Sequence, residues 1–166
     1  MTDPTDIPTL RTERLTLRAP AASDIDAYRA FYASPRSEAV GGPKGEKGAW
    51  AVLAAHRGHW DLRGFGRWVV DDGSGAVGAV GLIRPEGLQE VEVVWTLFSG
   101  EGRGYATEAA RAAIDWAGDR LGPLVSFIDR ANEPSRRVAA RLGARDTGMA
   151  PAHNADCTVW TYGEAA

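Results

Sequence analysis

The part of the sequence best suited to chemistry is a glycine-rich stretch between a predicted strand and a predicted helix. The strand covers residues 90–97, and Gly102-Arg103-Gly104 then leads directly into the helix. The first N–H groups of a helix have no partner inside it, and the helix dipole adds partial positive charge there. Because glycines allow a tight turn and a close backbone approach, this stretch suits a phosphate or pyrophosphate. A short Gly-x-Gly also occurs in turns that bind nothing, and that alternative stays open.

Three kinds of phosphate-binding loop are candidates for this stretch. A Walker A loop needs Gly-Lys followed by Ser or Thr, and neither Lys44 nor Lys47 has that context. A dinucleotide fingerprint needs a third glycine where Thr107 stands, although Asp129 after the next strand could serve a ribose. The third candidate is a loop for the pyrophosphate of coenzyme A.

Residues 102–109, GRGYATEA, resemble the GxGYATEA signature of the GNAT superfamily of N-acyltransferases, in the branch typified by the ribosomal-protein N-terminal acetyltransferases (Rim-type). Four further segments resemble the same family in the same order. They are the opening strand TERLTLR (12–18), the central hairpin (68–82), the glutamate-bearing strand (92–97) and the Asn-x-x-Ser helix (132–143). Five motifs in register, spanning about residues 9–162, form a far more specific signal than any one of them.

The resemblance implies that acetyl-CoA is the acyl donor and lies where the fourth and fifth strands splay apart. The pantetheine then pairs with the end of the fourth strand, and the pyrophosphate meets the glycine loop. The predicted cofactor-binding residues are Trp95, Thr96, Leu97, Gly102, Arg103, Gly104, Tyr105, Ala106, Thr107, Asn132 and Ser135. Glu101 stands where the superfamily has Gln or Arg, and we expect its carboxylate to point into solvent. Arg136 or Arg137 is the candidate for the ribose 3′-phosphate.

Direct attack of an amine on a thioester needs a base for the amine and an acid for the departing thiolate. The resemblance implies Glu92 as the base, acting through water, and Ser135 as the acid. From the residues alone, an ordinary strand glutamate facing solvent is the favoured interpretation of Glu92, and helix capping is the alternative role of Ser135. Glu90 is the alternative base if the strand register shifts by two. Many relatives use a tyrosine where this chain has Ala139, which favours Ser135.

The composition limits the other partners. The formal net charge of −3 at pH 7 does not favour nucleic-acid binding. The single cysteine, Cys157, excludes an internal disulfide and fits a reducing, cytoplasmic compartment. No apolar run reaches the roughly 18 residues of a membrane span, and residues 1–10 lack a signal-peptide pattern. We therefore predict neither nucleic acid nor membrane as a partner.

The histidines and tryptophans carry less functional signal than the glycine loop. His56, His59 and His153 have no nearby acidic pattern, so we predict no metal site and expect these side chains to face solvent or substrate. Trp50, Trp60 and Trp68 are expected in the core, with one of them at most lining the acceptor pocket.

The elements that position these groups follow from hydrophobic periodicity and turn residues. The predicted strands are 12–18, 66–71, 76–84, 90–97, 124–128, 144–149 and 157–162, and the predicted helices are 23–34, 49–62, 105–120 and 132–143. We expect a loose tail over residues 1–10, a flexible loop over 41–48, and a single acyl-CoA-binding domain over 11–166. This order predicts an α+β fold with a mixed, mostly antiparallel sheet and about four helices. The resemblance adds that it is GNAT-like and splayed between the fourth and fifth strands.

The sequence therefore predicts an N-acetyltransferase that transfers an acetyl group from acetyl-CoA to a primary amine of a protein N-terminus or a small molecule. An acyl-CoA sensor without turnover stays open, as does, with less support, a dinucleotide-binding oxidoreductase, because a fold does not fix a function. The expected partners are acetyl-CoA and an amine acceptor, and a homodimer is left open.

Overall fold

Eight strands form one sheet in this computed structural model, which describes residues 6–163. They are β1 (Leu10–Arg11), β2 (Thr16–Arg18), β3 (Arg67–Asp71), β4 (Ala76–Ile83), β5 (Val91–Leu97), β6 (Leu124–Asp129), β7 (Arg145–Asp146) and β8 (Cys157–Thr161). Their order across the sheet is β1-β2-β3-β4-β5-β6-β8-β7. The β5–β6 pair is parallel, and the other neighbouring pairs are antiparallel. The predicted mixed, mostly antiparallel sheet is confirmed.

In the described part of the chain, four α-helices and two short 3-10 segments cover the two faces of the sheet. The helices are α1 (Ile25–Tyr32), α2 (Glu46–Arg63), α3 (Tyr105–Ala117) and α4 (Glu133–Arg141), and the 3-10 segments are Ala22–Asp24 and Pro35–Val40. On one face, α3 packs through a stripe of buried alanines, which lets the helix lie close to the strands. On the other face, Tyr28 and Phe31 of α1 pack on Val69 of β3 and on Phe98. The predicted α+β class is confirmed.

The sheet opens between β5 and β6, which are the fourth and fifth strands of the prediction. These strands pair at Val91↔Leu124 and Glu92↔Val125 and then separate. Where pairing stops, the Ser126 hydroxyl donates a 2.6 Å hydrogen bond to the Val93 carbonyl. Within residues 6–163, the backbone edge of β5 from Val93 to Leu97 therefore has no partner strand on this side. The predicted splay is confirmed.

Several element boundaries differ from the sequence prediction. The first strand is interrupted, because the Thr12 N–H donates to the Leu15 carbonyl in a turn that separates β1 from β2. Helix α2 begins inside the predicted flexible loop, at Glu46. The strand predicted over 144–149 has only two residues, Arg145–Asp146.

The predicted N-terminal tail partly lies outside the described residues, since residues 1–5 are not described. Downstream of them, Ile7 is buried and the Pro8 carbonyl accepts a hydrogen bond from the Trp68 indole, so this part packs on the domain. The boundary at residue 11 stays a prediction. In residues 6–163 no helix is both long and apolar enough to cross a membrane.

Candidate functional site

Two cavities meet at the end of β5. The loop cleft, about 740 Å³, lies between the glycine loop and α4, and the gap cavity, about 560 Å³, lies where β5 and β6 separate. Six residues line both: Ala39, Val40, Trp95, Thr96, Asn132 and Ser135. The two spaces are therefore neighbours that share a wall at Trp95 and Ser135.

The loop cleft brings together ten of the eleven predicted cofactor-binding residues. They are Trp95, Thr96, Leu97, Gly102, Gly104, Tyr105, Ala106, Thr107, Asn132 and Ser135. The exception is Arg103, whose side chain turns away to the Tyr105 hydroxyl, 3.4 Å from its Nη1. The Tyr105 side chain is also engaged elsewhere, since its hydroxyl donates to Asp72. Because the side chains of Arg103 and Tyr105 are engaged elsewhere, both residues would contact a ligand through their backbone.

The mouth of the loop cleft is a concentration of hydrogen-bond donors. Gly102 and Gly104 have φ of +79° and +80°, values that residues with a Cβ rarely adopt. They turn the chain so that α3 begins at Tyr105, with the first N–H groups of the helix free of helical acceptors. Close by, the Thr107 hydroxyl is buried and has no hydrogen-bond partner in the described part of the chain. These donors fit an anionic group such as a pyrophosphate.

The loop is held in place by contacts that the sequence analysis missed. Arg14, in the turn between β1 and β2, forms a 2.7 Å ion pair with Glu108 in the first turn of α3. Its Nη1 also donates to the carbonyl of Arg103 at 2.7 Å. Thr12 donates a further 2.6 Å hydrogen bond to Glu108. The Thr-Glu-Arg and Ala-Thr-Glu motifs are thus in direct contact, although Arg14 and Glu108 are 94 residues apart in the chain.

We expected the Glu101 carboxylate to point into solvent, but the structure gives it a partner. Its carboxylate forms an ion pair with Arg36, which follows α1 in the second 3-10 segment. Arg36 also donates to the carbonyls of Leu97 and Phe98, at 3.2 Å and 2.5 Å. Arg36 therefore offsets the charge that Glu101 would present to an anion. It also occupies the Leu97 carbonyl, which leaves Trp95 and Thr96 as the freer part of the β5 edge.

The two candidate arginines for a terminal phosphate have different environments. Arg136 is engaged by Glu133 and Asp146, at 3.0 Å and 3.6 Å. Arg137 is exposed and lines the loop cleft. The structure therefore favours Arg137 over Arg136 as a cation available to a ligand in the loop cleft.

Glu92 lies in the gap cavity, at the last paired position before the strands separate. Burial raises the pKa of its carboxyl to about 7, while the Arg67 charge and a hydrogen bond from the Phe127 backbone oppose that rise. A carboxyl that titrates near neutral pH can accept a proton and release it again. Glu90, the alternative base, is exposed and lies outside the lining of both cavities.

Ser135 lies in the first turn of α4, on the wall between the two cavities. Its hydroxyl accepts a 3.3 Å hydrogen bond from the Trp95 indole. Asn132 caps this helix by accepting from the Ser135 N–H at 3.2 Å, so the Ser135 hydroxyl is not needed for capping. Ala139, where many relatives have a tyrosine, is buried in the core.

The histidines of α2 are structural, contrary to our expectation. The His56 Nδ1 is 2.7 Å from the Tyr28 hydroxyl, and burial lowers the pKa of His56. His59 is bound at both ring nitrogens, by the Phe65 carbonyl and the Arg84 N–H. His153 is exposed, edge-on to Phe127. Within residues 6–163, no three His, Cys, Asp or Glu side chains are grouped as a metal site.

Of the three tryptophans expected in the core, two are buried there and one is exposed. Trp60 and Trp68 are in the core as predicted, packed edge-to-face at 4.7 Å. Trp50 is exposed, and none of the three lines either cavity. Arg67 and Ser126 line the gap cavity instead, and sequence reasoning missed both. For Arg67 a signal existed, because strand alternation puts it on the same face as the buried Val69.

Comparison with known proteins places this site in a family. Residues 14–145 match the family model for the acetyltransferase (GNAT) domain. An acetyltransferase structure from Agrobacterium tumefaciens str. C58 is 41% identical, with 96% of each chain covered and a TM-score of 0.87. A GNAT-family structure from Bordetella pertussis is 28% identical over 92% of this chain and 96% of its own, with a TM-score of 0.75.

A structure from Vibrio cholerae described as a ribosomal-protein-serine acetyltransferase is 20% identical, covers 95% of this chain and 98% of its own, and has a TM-score of 0.75. At that identity the likeness shows the fold alone. The predicted resemblance and the GNAT-like fold are both confirmed, and enzymes of this family transfer acyl groups, generally from acetyl-CoA. The chain belongs to the GNAT acetyltransferase family.

Proposed function

We propose that this protein is an acetyl-CoA-dependent N-acetyltransferase that acetylates a primary amine by direct attack. One observation carries the proposal. A cleft with an anion-binding helix start and a cavity with a near-neutral carboxyl meet at the free end of β5. A donor thioester and an acceptor amine can thus approach each other across Trp95 and Ser135 from two separate spaces.

The donor occupies the loop cleft in this proposal. Its pyrophosphate accepts hydrogen bonds from the loop N–H groups and from the Thr107 hydroxyl, whose oxygen otherwise has no partner among residues 6–163. The pantetheine lies along the unpaired edge of β5 near Trp95 and Thr96. Arg137 is the cation for the 3′-phosphate.

The acceptor occupies the gap cavity, where Glu92 takes a proton from its ammonium form directly or through water. The amine lone pair then attacks the thioester carbon, the C–N bond forms and the C–S bond breaks. Sulfur leaves with the electron pair of the C–S bond and takes a proton from the Ser135 hydroxyl. The nitrogen loses its second proton as the amide forms, and that proton restores the Ser135 hydroxyl through water, while Glu92 returns its own proton to solvent. The two roles need different groups, and Glu92 of β5 and Ser135 of α4 both line the gap cavity.

The acceptor is a primary amine of a protein N-terminus or of a small molecule. The test is a release assay for free CoA thiol with acetyl-CoA against a panel of peptides, amino acids, polyamines and aminoglycosides. Mass spectrometry then looks for a product 42 Da heavier than the amine, the mass that acetylation adds. Calorimetry with CoA and with NAD(H) accompanies the assay.

We expect micromolar-range CoA binding and acetylation of at least one amine class. Tight CoA binding without turnover on any amine would favour the acyl-CoA sensor and contradict the catalytic proposal. Binding of NAD(H) without binding of CoA would contradict the donor assignment as well.

A further inference from the structure

Arg67 is a charged side chain in the gap cavity that the proposed transfer step does not use. It begins β3 and lines the same cavity as Glu92. Its Nη1 donates a 3.0 Å hydrogen bond to the Thr96 hydroxyl. A guanidinium carries five N–H donors, and over residues 6–163 this is its one recorded hydrogen bond. Within the same residues, no carboxylate lies within ion-pair distance of it.

The surroundings of Arg67 make an unpaired charge costly. Burial lowers the pKa of the guanidinium, and Tyr32, Glu92 and Tyr28 are the groups near enough to oppose that shift. The nearby His56 adds no second positive charge, because burial lowers its pKa and keeps the ring neutral, and a neutral imidazole cannot serve as the anion that Arg67 lacks. Protein interiors rarely hold a desolvated cation without a partner anion, because the lost hydration has to be offset. A guanidinium meets that need best with a carboxylate, which it can bind through two parallel hydrogen bonds.

We propose that Arg67 binds a carboxylate of the acceptor, and that the acceptor is a small amino carboxylate of the α-amino acid type. This rests on the proposed function, because it names the substrate class of the same site. The amine and carboxylate of an α-amino acid share one carbon. Glu92 and Arg67 offer an acidic and a basic partner within mutual electrostatic range in one cavity.

The dimensions of the gap cavity agree with a small acceptor. Its volume of about 560 Å³ lies within the roughly 300–1,000 Å³ of small-molecule sites. A peptide N-terminus has used its first carboxyl in an amide bond, so it would leave Arg67 without an anion. A polyamine or aminoglycoside would bring a further positive charge toward Arg67.

The test compares matched acceptors that differ only at the carboxyl. Each α-amino acid is assayed beside its carboxamide and its methyl ester, with acetyl-CoA held constant. We expect kcat/KM to be about 10- to 100-fold higher for the acid, as befits hydrogen bonds to a charged group. In Arg67→Gln the acid-to-amide ratio should fall to near one, and in Arg67→Lys it should be partly retained. Arg63→Gln, at the exposed end of α2, is the matched control and should keep the wild-type ratio.

The ratio is the informative quantity, because Arg67 also holds down the pKa of Glu92 and its loss slows every acceptor alike. Equal rates for acids and amides in the wild-type protein would overturn the inference, even if Arg67→Gln failed to fold. A ratio unchanged in Arg67→Gln, or an equal loss for both acceptors, would overturn it as well and leave Arg67 a structural residue. Acetylation of peptides alone would also overturn it while leaving the proposed function intact. No acetyl transfer to any amine would contradict the proposed function itself.

Discussion

The loop cleft and the gap cavity share a wall, yet they are built from different parts of the chain and in different ways. The loop cleft is made mainly of backbone: positive-φ glycines, the start of α3 and the unpaired edge of β5. The gap cavity differs because its chemistry comes from side chains: within a largely apolar and neutral lining, Glu92 and Arg67 are ionisable groups partly withdrawn from water.

This difference explains why the loop cleft could be predicted from the sequence and the gap cavity could not. A loop that binds a ligand through its backbone N–H groups needs particular residue types at fixed spacing, and the segment GRGYATEA has those residues. A cavity of side chains depends on which strands become neighbours, so its members are scattered along the chain. Four variants can break or sharpen this contrast between a backbone-built cleft and a side-chain-built cavity.

Glu92→Gln should have the largest effect, on the rate of transfer. Loss of a general base lowers turnover by on the order of 10² to 10⁴. With a pKa of about 7, Glu92 becomes active as pH rises, so the wild-type rate should climb through pH 7 and the variant should lack that climb. CoA affinity by calorimetry should hardly change. Glu90→Gln is the control, since Glu90 is exposed two residues away; equal rate losses in both would contradict the assignment.

The same variant has a predicted stability signature. Burial raises the folded-state pKa of Glu92 from 4.5 to about 7, so the fold favours the protonated form. This preference contributes to the free energy of unfolding in full below pH 4.5, and the contribution is lost as pH rises toward 7. Glu92→Gln escapes the loss, so it should gain on the order of 1–3 kcal/mol over wild type between pH 4.5 and 8. Urea unfolding at both pH values measures this gain.

Gly104→Val should have the next largest effect, on donor binding. Gly104 has φ of +80°, and an added Cβ would lie 3.4 Å from Arg14 Nη2, the group that holds the loop. A β-branched residue is strained there, so the loop should shift and CoA affinity fall on the order of 10²-fold.

The control is Gly122→Val, at φ of +71° after α3. Apart from its chain neighbours, no atom of residues 6–163 lies within 4 Å of the added Cβ. It carries a similar backbone strain, remote from the cleft. Calorimetry should show near-normal CoA affinity in Gly122→Val; a matching loss in both variants would mean that general destabilisation, not the loop, is responsible.

Ser135→Ala should have a moderate effect, because a water can partly replace a hydroxyl. We expect turnover to fall on the order of 10- to 100-fold with a small change in CoA affinity. The helix cap survives, since Asn132 and not the Ser135 side chain provides it. Wild-type turnover in Ser135→Ala, measured where chemistry limits the rate, would reduce the hydroxyl to an acceptor for the Trp95 indole.

The fold was predictable where local chemistry decides it. The turn Asp72-Gly73-Ser74-Gly75 places the β3–β4 hairpin, and its geometry is supported by Asp71 and Asp72 oxygens accepting from backbone N–H groups. The first predicted strand was right only over its last three residues, Thr16–Arg18, because Thr12 satisfies backbone groups of Leu15 in a turn that alternation alone does not reveal.

The candidate site was predictable only where a motif names it. Arg36 and Arg67 come from segments with no signature, and their roles arise from tertiary contacts with Leu97, Glu101 and Thr96. Neither contact can be read from spacing, because the partners lie about 30 or more residues away. A charged residue alternating with buried ones, as Arg67 does with Val69, is the signal worth following in such chains.

Thr107→Val should have the smallest effect on CoA binding. It also separates the contribution of this side chain to ligand binding from its contribution to stability. The Thr107 hydroxyl is buried without a partner in residues 6–163, so the protein without ligand gains nothing from it. Removing it, with nearly the same side-chain shape, should leave the free energy of unfolding equal or raise it by on the order of 1 kcal/mol.

If the hydroxyl donates a hydrogen bond to the pyrophosphate of bound CoA, its removal should lower CoA affinity by about 2- to 10-fold, the value of one hydrogen bond. Weaker CoA binding without any loss of stability is the decisive combination, because removing a structural threonine would lower stability and removing a threonine without a role would change neither quantity. Thr107→Ser is the matched control, since it keeps the hydroxyl and should keep the affinity. Unchanged CoA binding in Thr107→Val would mean that the cleft holds its anion through backbone N–H groups alone, and the contrast with the side-chain-built gap cavity would become sharper still.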